Sequence, residues 1–375
     1  MTTAHPSGHA TLVEHLYERG LLDEDWRAVW HAVPREPFIP QRIWRQDPTE
    51  CVPITTEAER LDLIHSDEPV VIQLDDGHAD GPGIATSSNS QPSTVARMLR
   101  LLDVESGHRV LEIGTASGHV AALLSRRLGD AHVYSIEIDP GLAHHAAATL
   151  RAAGYTPNLA CGDGACGWPD EAPFDRLIAT CALRHIPGEL VQQVSPGGLI
   201  VVPVARDFWS GALVQLRVGD DGTASGFSHS GALYMPMRSH RAPAPAPVDD
   251  STARASKSTV HPRQLLQSLG FALYAGTRLP DVRLWHSGHK GAVAVWAQDR
   301  DGSATSATCN EVWQYGPREL WSDIERIWAE YDQLGRPELT EFGLTVRASR
   351  QEVWMHDPSR VIEPATQSAW MSQTG

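Results

Sequence analysis

The sequence predicts an α/β fold, in which a doubly wound, mostly parallel sheet is followed by a smaller α+β unit. Short apolar segments alternate with helical patterns between residues 93 and 204, an order typical of parallel sheets. An Ala/Pro-rich stretch then interrupts the chain, and hairpin and helix patterns resume after it. We therefore predict four parts: an N-terminal wrap (1–92), a core (93–240), a linker (241–258) and a C-terminal extension (259–375).

The N-terminal part is predicted to contain two short helices and a long irregular segment. An apolar i, i+3, i+4, i+7 pattern from Trp26 to Val33 indicates the second helix, with Asp23 as its N-cap. A shorter apolar pattern before it indicates the first. Residues 34–90 are rich in Pro, Asp and Gly, so we expect an irregular wrap with one strand, at 69–74.

The core begins with a helix whose apolar stripe includes Val95 and Leu102. Apolar strands and helices then alternate, and a final hairpin is expected around Asp221-Gly222. Because parallel strands end at the same edge of a sheet, ligands bind at that edge. The predicted strands are 109–114, 132–139, 158–163, 175–181 and 198–204, and the helices between the first three are 118–129 and 140–154.

The extension has patterns of its own. A hairpin is predicted around Asp301-Gly302, a helix at 317–333 and a further strand at 342–349. Seven of the twelve tryptophans of the chain fall here. They indicate either core packing or an aromatic-lined peptide groove.

A glycine loop follows the first core strand and reads Glu-Ile-Gly-Thr-Ala-Ser-Gly at 112–118. The glycines allow a tight turn and a close approach of the backbone to a ligand. The spacing differs from the Gly-x-Gly-x-x-Gly of dinucleotide sites. It favours S-adenosylmethionine, which has no pyrophosphate to be held.

Acidic and polar residues end the next three strands. Glu137 can accept both hydroxyls of a ribose, Asp163 can meet an adenine amino group, and Thr180 ends the fourth strand. Four strand ends thus converge on one crevice. The predicted cofactor-binding residues are Glu112, Gly114, Thr115, Ala116, Ser117, Gly118, Glu137, Ile138, Asp163, Gly164 and Thr180.

Composition excludes several classes of partner. The net charge of −15 argues against nucleic acid and against anionic lipid surfaces. The five cysteines are scattered, which favours reduced thiols in a cytoplasm. Neither a signal peptide nor an apolar span is evident, and the 18 histidines lack zinc-site spacing, so we expect a cytoplasmic protein without a metal.

Several motifs together resemble protein-L-isoaspartate O-methyltransferases: "RVLEIGTASGHVAALLSRRLG" (109–129), "SQPSTVARML" (90–99), "VPREPFIP" (33–40) and "ALYMPM" (232–237). The resemblance implies a Rossmann-like methyltransferase fold. It also implies S-adenosylmethionine as methyl donor, with S-adenosylhomocysteine as product. The acceptor would be an aspartate or isoaspartate carboxylate on a protein or peptide. The catalytic residue would be Ser90, which holds that carboxylate with help from Ser88 and Asn89.

The sequence departs from the family pattern in three places. Ser-Asn-Ser at 88–90 replaces the usual Thr-Ile-Ser, and His119 replaces a usual Tyr. An Ala-rich, Pro-containing loop becomes "TCALRHIP" (180–187), which brings Arg184 and His185 toward the acceptor. The planar guanidinium of Arg184 would bind an acidic part of a peptide through paired hydrogen bonds. Alternatively, Arg184 pairs with an acid of the protein and His185 caps the next helix.

The extension is expected to have no counterpart in the housekeeping enzyme. It is similar to that of the family branch associated with ribosomally made, modified peptides such as lanthipeptides, graspetides and lasso peptides. That branch esterifies a normal aspartate of a cyclised precursor, which leads to aspartimide and isoaspartate. We predict this function, with two main alternatives: repair of isoaspartate in damaged proteins, and a catalytically inactive peptide-binding homologue. The polar residues 86–90 accordingly either hold the acceptor carboxylate or serve only as a linker into the helix after them.

Overall fold

The computed structural model describes residues 8–365 except 48, 290, 291, 310 and 349. The first two helices, α1 (His9–Glu18) and α2 (Glu24–Ala32), pack beside the core helices described below. The carboxylate of Asp23 accepts a hydrogen bond from the Trp26 N–H at 2.7 Å, so the predicted N-cap is confirmed. Within the described residues no helix is long and apolar enough to cross a bilayer.

The segment 34–90 is more ordered than the sequence predicts. Its described residues form a four-stranded antiparallel sheet in the order β2-β1-β3-β4, one α-helix and two short 3-10 helices. The predicted strand at 69–74 is confirmed as β3, but the irregular wrap is wrong. The other strands have three to five residues and little apolar alternation, so their backbone pairing left no periodic signal. The elements are β1 (Trp44–Gln46), β2 (Cys51–Pro53), α3 (Glu57–Ile64), β3 (Val70–Leu74) and β4 (Ala85–Asn89).

The main sheet has nine strands in the order β18-β17-β11-β10-β9-β8-β5-β6-β7. Strands β5 to β9 are parallel and the others are antiparallel, which confirms the doubly wound prediction. The strand order reverses between β5 and β8, which is where ligands bind in such sheets. The core elements are α4 (Pro92–Leu102), β5 (Val110–Ile113), α5 (His119–Leu128), β6 (Val133–Glu137), α6 (Pro140–Ala152), β7 (Asn158–Cys161), β8 (Phe174–Ala179), α7 (Gly188–Gln192), β9 (Val194–Arg206), β10 (Trp209–Val218) and β11 (Ala224–Gly231).

The extension adds a five-stranded antiparallel sheet in the order β12-β16-β15-β14-β13. Both hairpins predicted around Asp-Gly turns are confirmed, between β10 and β11 and between β14 and β15. The predicted linker is not wholly irregular, because its end forms β12 and pairs with β16. The elements are β12 (Arg254–Ser256), α8 (Pro262–Gln267), α9 (Leu269–Arg278), β13 (Arg283–His289), β14 (Ala292–Gln298), β15 (Ala304–Ala307), β16 (Val312–Tyr315), α10 (Leu320–Gln333), β17 (Phe342–Arg347) and β18 (Arg350–Met355).

The last hairpin, β17–β18, belongs to the main sheet, since β17 pairs with β11. The ring of Trp354 on β18 lies over Gly343 on β17, and a Cβ at Gly343 would come within 2.0 Å of that ring. The indole N–H of Trp354 donates to the Thr345 hydroxyl at 2.9 Å. The extension and the core therefore share strands and one continuous apolar cluster.

Among the described residues of the extension, tryptophans occur both in the core and on an exposed face. Trp321 and Trp354 are buried in the core. Trp285 and Trp313 are 42% and 36% exposed, and Trp285 stacks on Trp296 with ring centroids 6.4 Å apart. The cross-strand register aligns Trp285 with Trp296, Trp296 with Ser306, and Ser306 with Trp313, so these side chains lie on one face of the sheet. We call this face the tryptophan row.

Candidate active site

A cavity of about 710 Å³ opens at the carboxyl ends of the parallel strands. One wall, the donor wall, is formed by strand ends and the glycine loop. The opposite wall, the acceptor wall, is formed by β4, the first turns of α4 and the segment after β11. The predicted cofactor residues that line the cavity are Gly114, Ala116, Glu137, Ile138, Asp163, Gly164 and Thr180.

The glycine loop turns tightly at the end of β5. Gly114 has φ 97°, a left-handed conformation that favours glycine. A Cβ there would lie 3.0 Å from the Thr180 hydroxyl, which donates to the Gly114 carbonyl at 2.7 Å. The Ala116 N–H donates to the Glu137 carboxylate at 2.8 Å. The loop backbone thus faces the cavity directly and leaves room for a ligand beside it.

Three of the predicted loop residues are buried supports and do not line the cavity. The Thr115 hydroxyl is 2.6 Å from that of Ser135, and the Ser117 hydroxyl accepts from the Asn89 amide at 2.8 Å. Gly118 has φ 86°, and a Cβ there would come within 3.1 Å of a leucine on α6. These contacts hold the loop shape, while its backbone at Gly114 and Ala116 meets the cavity.

Glu112 lies buried beneath the loop. Its Oε2 accepts from the Ser135 hydroxyl at 2.6 Å, and its Oε1 has no hydrogen-bond partner among the described residues. Burial raises the pKa of Glu112 to about 8, although the Ser135 hydrogen bond acts to lower it. An orphaned buried carboxyl oxygen fits a site that is completed by a positively charged ligand.

The acids at the ends of β6 and β7 face the cavity. The carboxylate of Glu137 accepts from the N–H groups of Ala116 and Asp139, and burial raises its pKa. Asp163 accepts from the Ala165 N–H at 3.0 Å. Gly164 follows it, where a Cβ would lie 2.4 Å from a methyl carbon of the Ile113 side chain. The donor wall therefore combines carboxylates that retain free lone pairs with backbone that only glycine permits.

The acceptor wall carries hydroxyl groups. Ser88 lies on β4 and Ser90 directly after it, and both line the cavity. The Tyr234 hydroxyl donates to the Met98 sulfur at 3.1 Å, and Tyr234 lines the cavity together with Ser90. Leu233 stands at the same wall with 80% of its surface exposed. A bound acceptor would therefore meet hydroxyls within the cavity and an apolar side chain at its wall.

Asn89 corrects the sequence-based expectation. Successive strand residues point to opposite faces, so its side chain turns away from the cavity and is buried. Its amide oxygen accepts from the Arg35 Nε at 2.9 Å, and its NH2 donates to Ser117. Arg35 is itself buried, which lowers its pKa to about 9. Asn89 thus joins the acceptor strand to the glycine loop and does not line the cavity.

Arg184 and His185 also lie elsewhere than predicted. The Arg184 guanidinium forms a bidentate pair with Asp207 at 2.8 and 2.6 Å, so its fork is engaged by the protein. This agrees with the alternative interpretation of that residue. His185 stacks on His240 with ring centroids 4.4 Å apart and lines a separate depression with Cys166. Neither residue lines the 710 Å³ cavity.

Sequence reasoning missed several residues of the cavity, among them Arg97, Tyr234 and Arg238. Arg97 lies one turn after Ser93 on the polar side of α4, which helical spacing could have shown. Tyr234 lies in the segment "ALYMPM" (232–237), a family motif that by itself indicates no role for the tyrosine. Arg238 pairs with Asp76 and Asp139, contacts between distant parts of the chain that leave no local pattern.

One solved structure bears on the extension. A structure named protein-L-isoaspartate O-methyltransferase matches with a TM-score of 0.56 and 17% identity, and covers 93% of this chain and 100% of the other. This likeness is one of fold alone. Its coverage of this chain reaches well beyond residue 242, so a protein of that name shares the fold of at least part of the extension.

Sequence relatives carry the same name. The protein-L-isoaspartate O-methyltransferase of Opitutus terrae is 37% identical over 192 residues, which cover 51% of this chain and 70% of the relative. Protein-L-isoaspartate O-methyltransferase 2 of Polaromonas sp. is 34% identical over 221 residues, which cover 59% of this chain and 90% of the relative. The model of the family described as protein-L-isoaspartate(D-aspartate) O-methyltransferase matches residues 7–242, more than half of the chain. With the geometry of the cavity, this match shows that the chain belongs to the protein-L-isoaspartate O-methyltransferase family.

Proposed function

We propose that this protein is an S-adenosylmethionine-dependent O-methyltransferase that esterifies a carboxylate of a peptide. The observation that carries the proposal is the single cavity of about 710 Å³, which has carboxylates and glycines on one wall and hydroxyls on the other. Donor and acceptor could therefore meet in one compartment. The family to which the chain belongs supports the same reaction class.

The donor wall fits S-adenosylmethionine. Glu137 would hold the ribose hydroxyls, Asp163 the adenine amino group, and the backbone at Gly114 and Ala116 the amino-acid part. The unpartnered oxygen of Glu112 offers a hydrogen-bond acceptor beneath the glycine loop, and a positively charged ligand nearby would favour ionisation of this carboxyl group. When bound, S-adenosylmethionine supplies an electrophilic methyl group on a sulfonium.

The acceptor wall has the simpler task of positioning. An aspartyl or isoaspartyl carboxylate is already ionised at neutral pH, so it needs no general base. The Ser90 hydroxyl would donate a hydrogen bond to one carboxylate oxygen and leave the other free to accept the methyl group. Such positioning can lower a barrier by about 7–11 kcal/mol when the reacting atoms are held in a near-attack geometry.

The finer proposal is that the acceptor is a normal aspartate of a cyclised, ribosomally made peptide. Its methyl ester is then attacked by the backbone nitrogen of the following residue. A C–N bond forms, the ester C–O bond breaks, and methanol leaves with the amide proton, which gives an aspartimide. This ring closure needs no group of the enzyme. The sequence resemblance supports this substrate, and the tryptophan row offers the extension a surface on which a peptide could bind.

Repair of isoaspartate in damaged proteins is a second candidate. Relatives of the chain are named protein-L-isoaspartate O-methyltransferase, and one of them aligns over 90% of its own length. The extension no longer argues against repair, because a protein of that name has a similar fold over 93% of this chain.

One experiment separates these functions. The full chain is incubated with S-adenosylmethionine and, in parallel, an isoaspartyl peptide, its aspartyl twin, and a cyclised peptide that contains the same aspartate within its ring. We expect methylation of the cyclised peptide followed by methanol release, both followed by mass spectrometry. Turnover of the isoaspartyl peptide alone would overturn the finer proposal in favour of repair. Tight binding without turnover of any peptide would overturn the enzymatic proposal.

A pair of serine variants identifies the acceptor wall. Ser90→Ala is expected to slow methyl transfer more than tenfold, a barrier change above about 1.4 kcal/mol. Ser322→Ala is the matched control, because Ser322 is exposed on α10. If Ser90→Ala keeps the rate within tenfold of the control, then residues 86–90 serve only as a linker into α4.

A further inference from the structure

The acceptor side of the cavity contains arginines but no acid among its lining residues. Its remaining polar groups are hydroxyls and amides. Glu137 and Asp163 are the acids that line the cavity within the described chain, and both lie on the donor wall. In a protein with a net charge of −15, this local absence of carboxylates is a departure from the average surface. The acceptor side is suited to bind an anion.

Three arginines line the cavity, and two of them are paired within the protein. Arg19 pairs with Asp67 at 3.1 Å, and Arg238 pairs with Asp76 at 2.9 Å. Arg97 is half-buried on α4, and across the described residues no acid lies within ion-pair distance of it. A partly desolvated guanidinium is stabilised by an anion, such as a carboxylate, that accepts two hydrogen bonds from it.

Arg97 lies close to the group that would hold the acceptor. Burial raises the pKa of Tyr234, while the Ser90 hydroxyl and the charge of Arg97 both act on its phenol in the opposite direction. Ser90, Tyr234 and Arg97 all line the cavity. Ser93 and Thr94, on the same side of α4, also line it.

The methylated carboxylate itself is a poor partner for this arginine. Methyl transfer joins a negative carboxylate to a positive sulfonium, so both charges diminish in the transition state. A cation fixed on the nucleophile would stabilise the reactants more than the transition state and slow the reaction. The neutral hydroxyl of Ser90 avoids this cost. The anion that suits Arg97 is therefore a second one.

We propose that Arg97 forms an anion subsite that binds a carboxylate of the acceptor peptide other than the one that is methylated. This inference rests on the proposed function and specifies its substrate class: a peptide with a second carboxylate near the modified residue. That carboxylate can be an Asp or Glu side chain or the C-terminus of the peptide. Arg97 is in either case a specificity residue, and it does not take part in bond formation.

The test compares peptides that differ only in the second carboxylate. From the peptide that the enzyme methylates best, one pair is made with Glu or Gln beside the modified residue and another with a free or amidated C-terminus. Arg97→Gln is expected to raise KM about tenfold or more for the peptide with the second carboxylate. For the neutral twin, KM should change by less than about twofold. The pair whose KM difference is lost in Arg97→Gln shows whether the second carboxylate is a side chain or the C-terminus of the peptide. The value of kcat should change little.

Controls separate binding from folding. Arg126→Gln removes an exposed arginine of α5 and should leave both pairs unchanged. Arg97→Lys should restore part of the preference, because it keeps the charge. S-adenosylhomocysteine should bind Arg97→Gln as it binds the unaltered protein, which shows that the donor wall is intact. An equal loss for charged and neutral peptides would overturn the subsite.

A binding measurement makes the test independent of turnover. Peptide dissociation constants are determined by calorimetry with S-adenosylhomocysteine present. If no peptide is methylated, the proposed function fails, but a charge preference in binding that disappears in Arg97→Gln still supports the subsite. Equal affinities for charged and neutral peptides in the unaltered protein would refute it.

Discussion

Replacing Glu112 by glutamine tests the electrostatics of the donor wall. The folded protein raises the pKa of Glu112 from 4.5 to about 8, mainly through burial. Below pH 4.5 the carboxyl group is protonated in both the folded and the unfolded chain. Above that pH the unfolded chain releases the proton while the folded chain retains it, so the free energy of unfolding falls as pH rises. Glutamine does not titrate, and the variant loses this slope.

The magnitude follows from the two pKa values. The slope is about 1.4 kcal/mol per pH unit, which amounts to at most about 5 kcal/mol between pH 4.5 and 8. His119 acts in the opposite direction at lower pH, because burial lowers its pKa from 6.5 to about 3. Its unfolded form takes up a proton below pH 6.5 and its folded form does not. The window from pH 6.5 to 8 therefore isolates Glu112, with an expected change of up to about 2 kcal/mol.

Urea unfolding of the ligand-free protein at several pH values provides the assay. We expect the stability of Glu112→Gln relative to the unaltered protein to increase steadily from pH 6.5 to 8. Glu105→Gln, which changes an exposed residue, serves as the control and should track the unaltered protein. A stability difference between Glu112→Gln and the unaltered protein that stays constant over this window would show that Glu112 is already ionised in the folded state, and the reasoning would be refuted.

Three further variants test separate parts of the fold. Gly164→Ala places a methyl group 2.4 Å from the Ile113 side chain and should weaken S-adenosylhomocysteine binding about tenfold. Its control, Gly162→Ala, has open space around the new methyl group and should bind normally; equal affinities would exclude the steric argument. Gly343→Ala forces a methyl group into the tryptophan of β18 and should cost about 1–3 kcal/mol of stability in urea unfolding. His119→Phe should remove up to about 2 kcal/mol of the stability loss between pH 6.5 and 5, and an unchanged acid profile would contradict this.

The alternation of strands and helices in the core was predictable because both elements are strongly periodic and end in recognisable signals. Asp23 as a cap and the Asp-Gly hairpins are local chemistry, and the structure contains them. The crevice at the strand ends followed from topology alone. Nine strands in one sheet did not follow, because β11 pairs with β17 across more than a hundred residues.

The misplaced residues share a physical reason. Asn89 was assigned to the acceptor by its neighbours in sequence, but strand alternation turns it toward Arg35 and Ser117. Arg184 was assigned to the acceptor site because it follows β8 closely in sequence. Its guanidinium instead pairs with Asp207, on a loop later in the chain. In both cases a partner distant in sequence decides where the side chain points. No local pattern identifies such a partner.

The pairing of β17 with β11 has a consequence for how the extension can be studied. Shortening the chain at the Ala/Pro stretch would leave β11 as an open edge strand, with the backbone groups of Ala224–Phe227 free to pair with another molecule. Such a fragment would tend to aggregate, and its inactivity would say nothing about peptide recognition. The extension is not a detachable module. Its contribution is best measured by single changes on its exposed face, such as Trp285→Ser or Trp313→Ser, which leave the sheet complete.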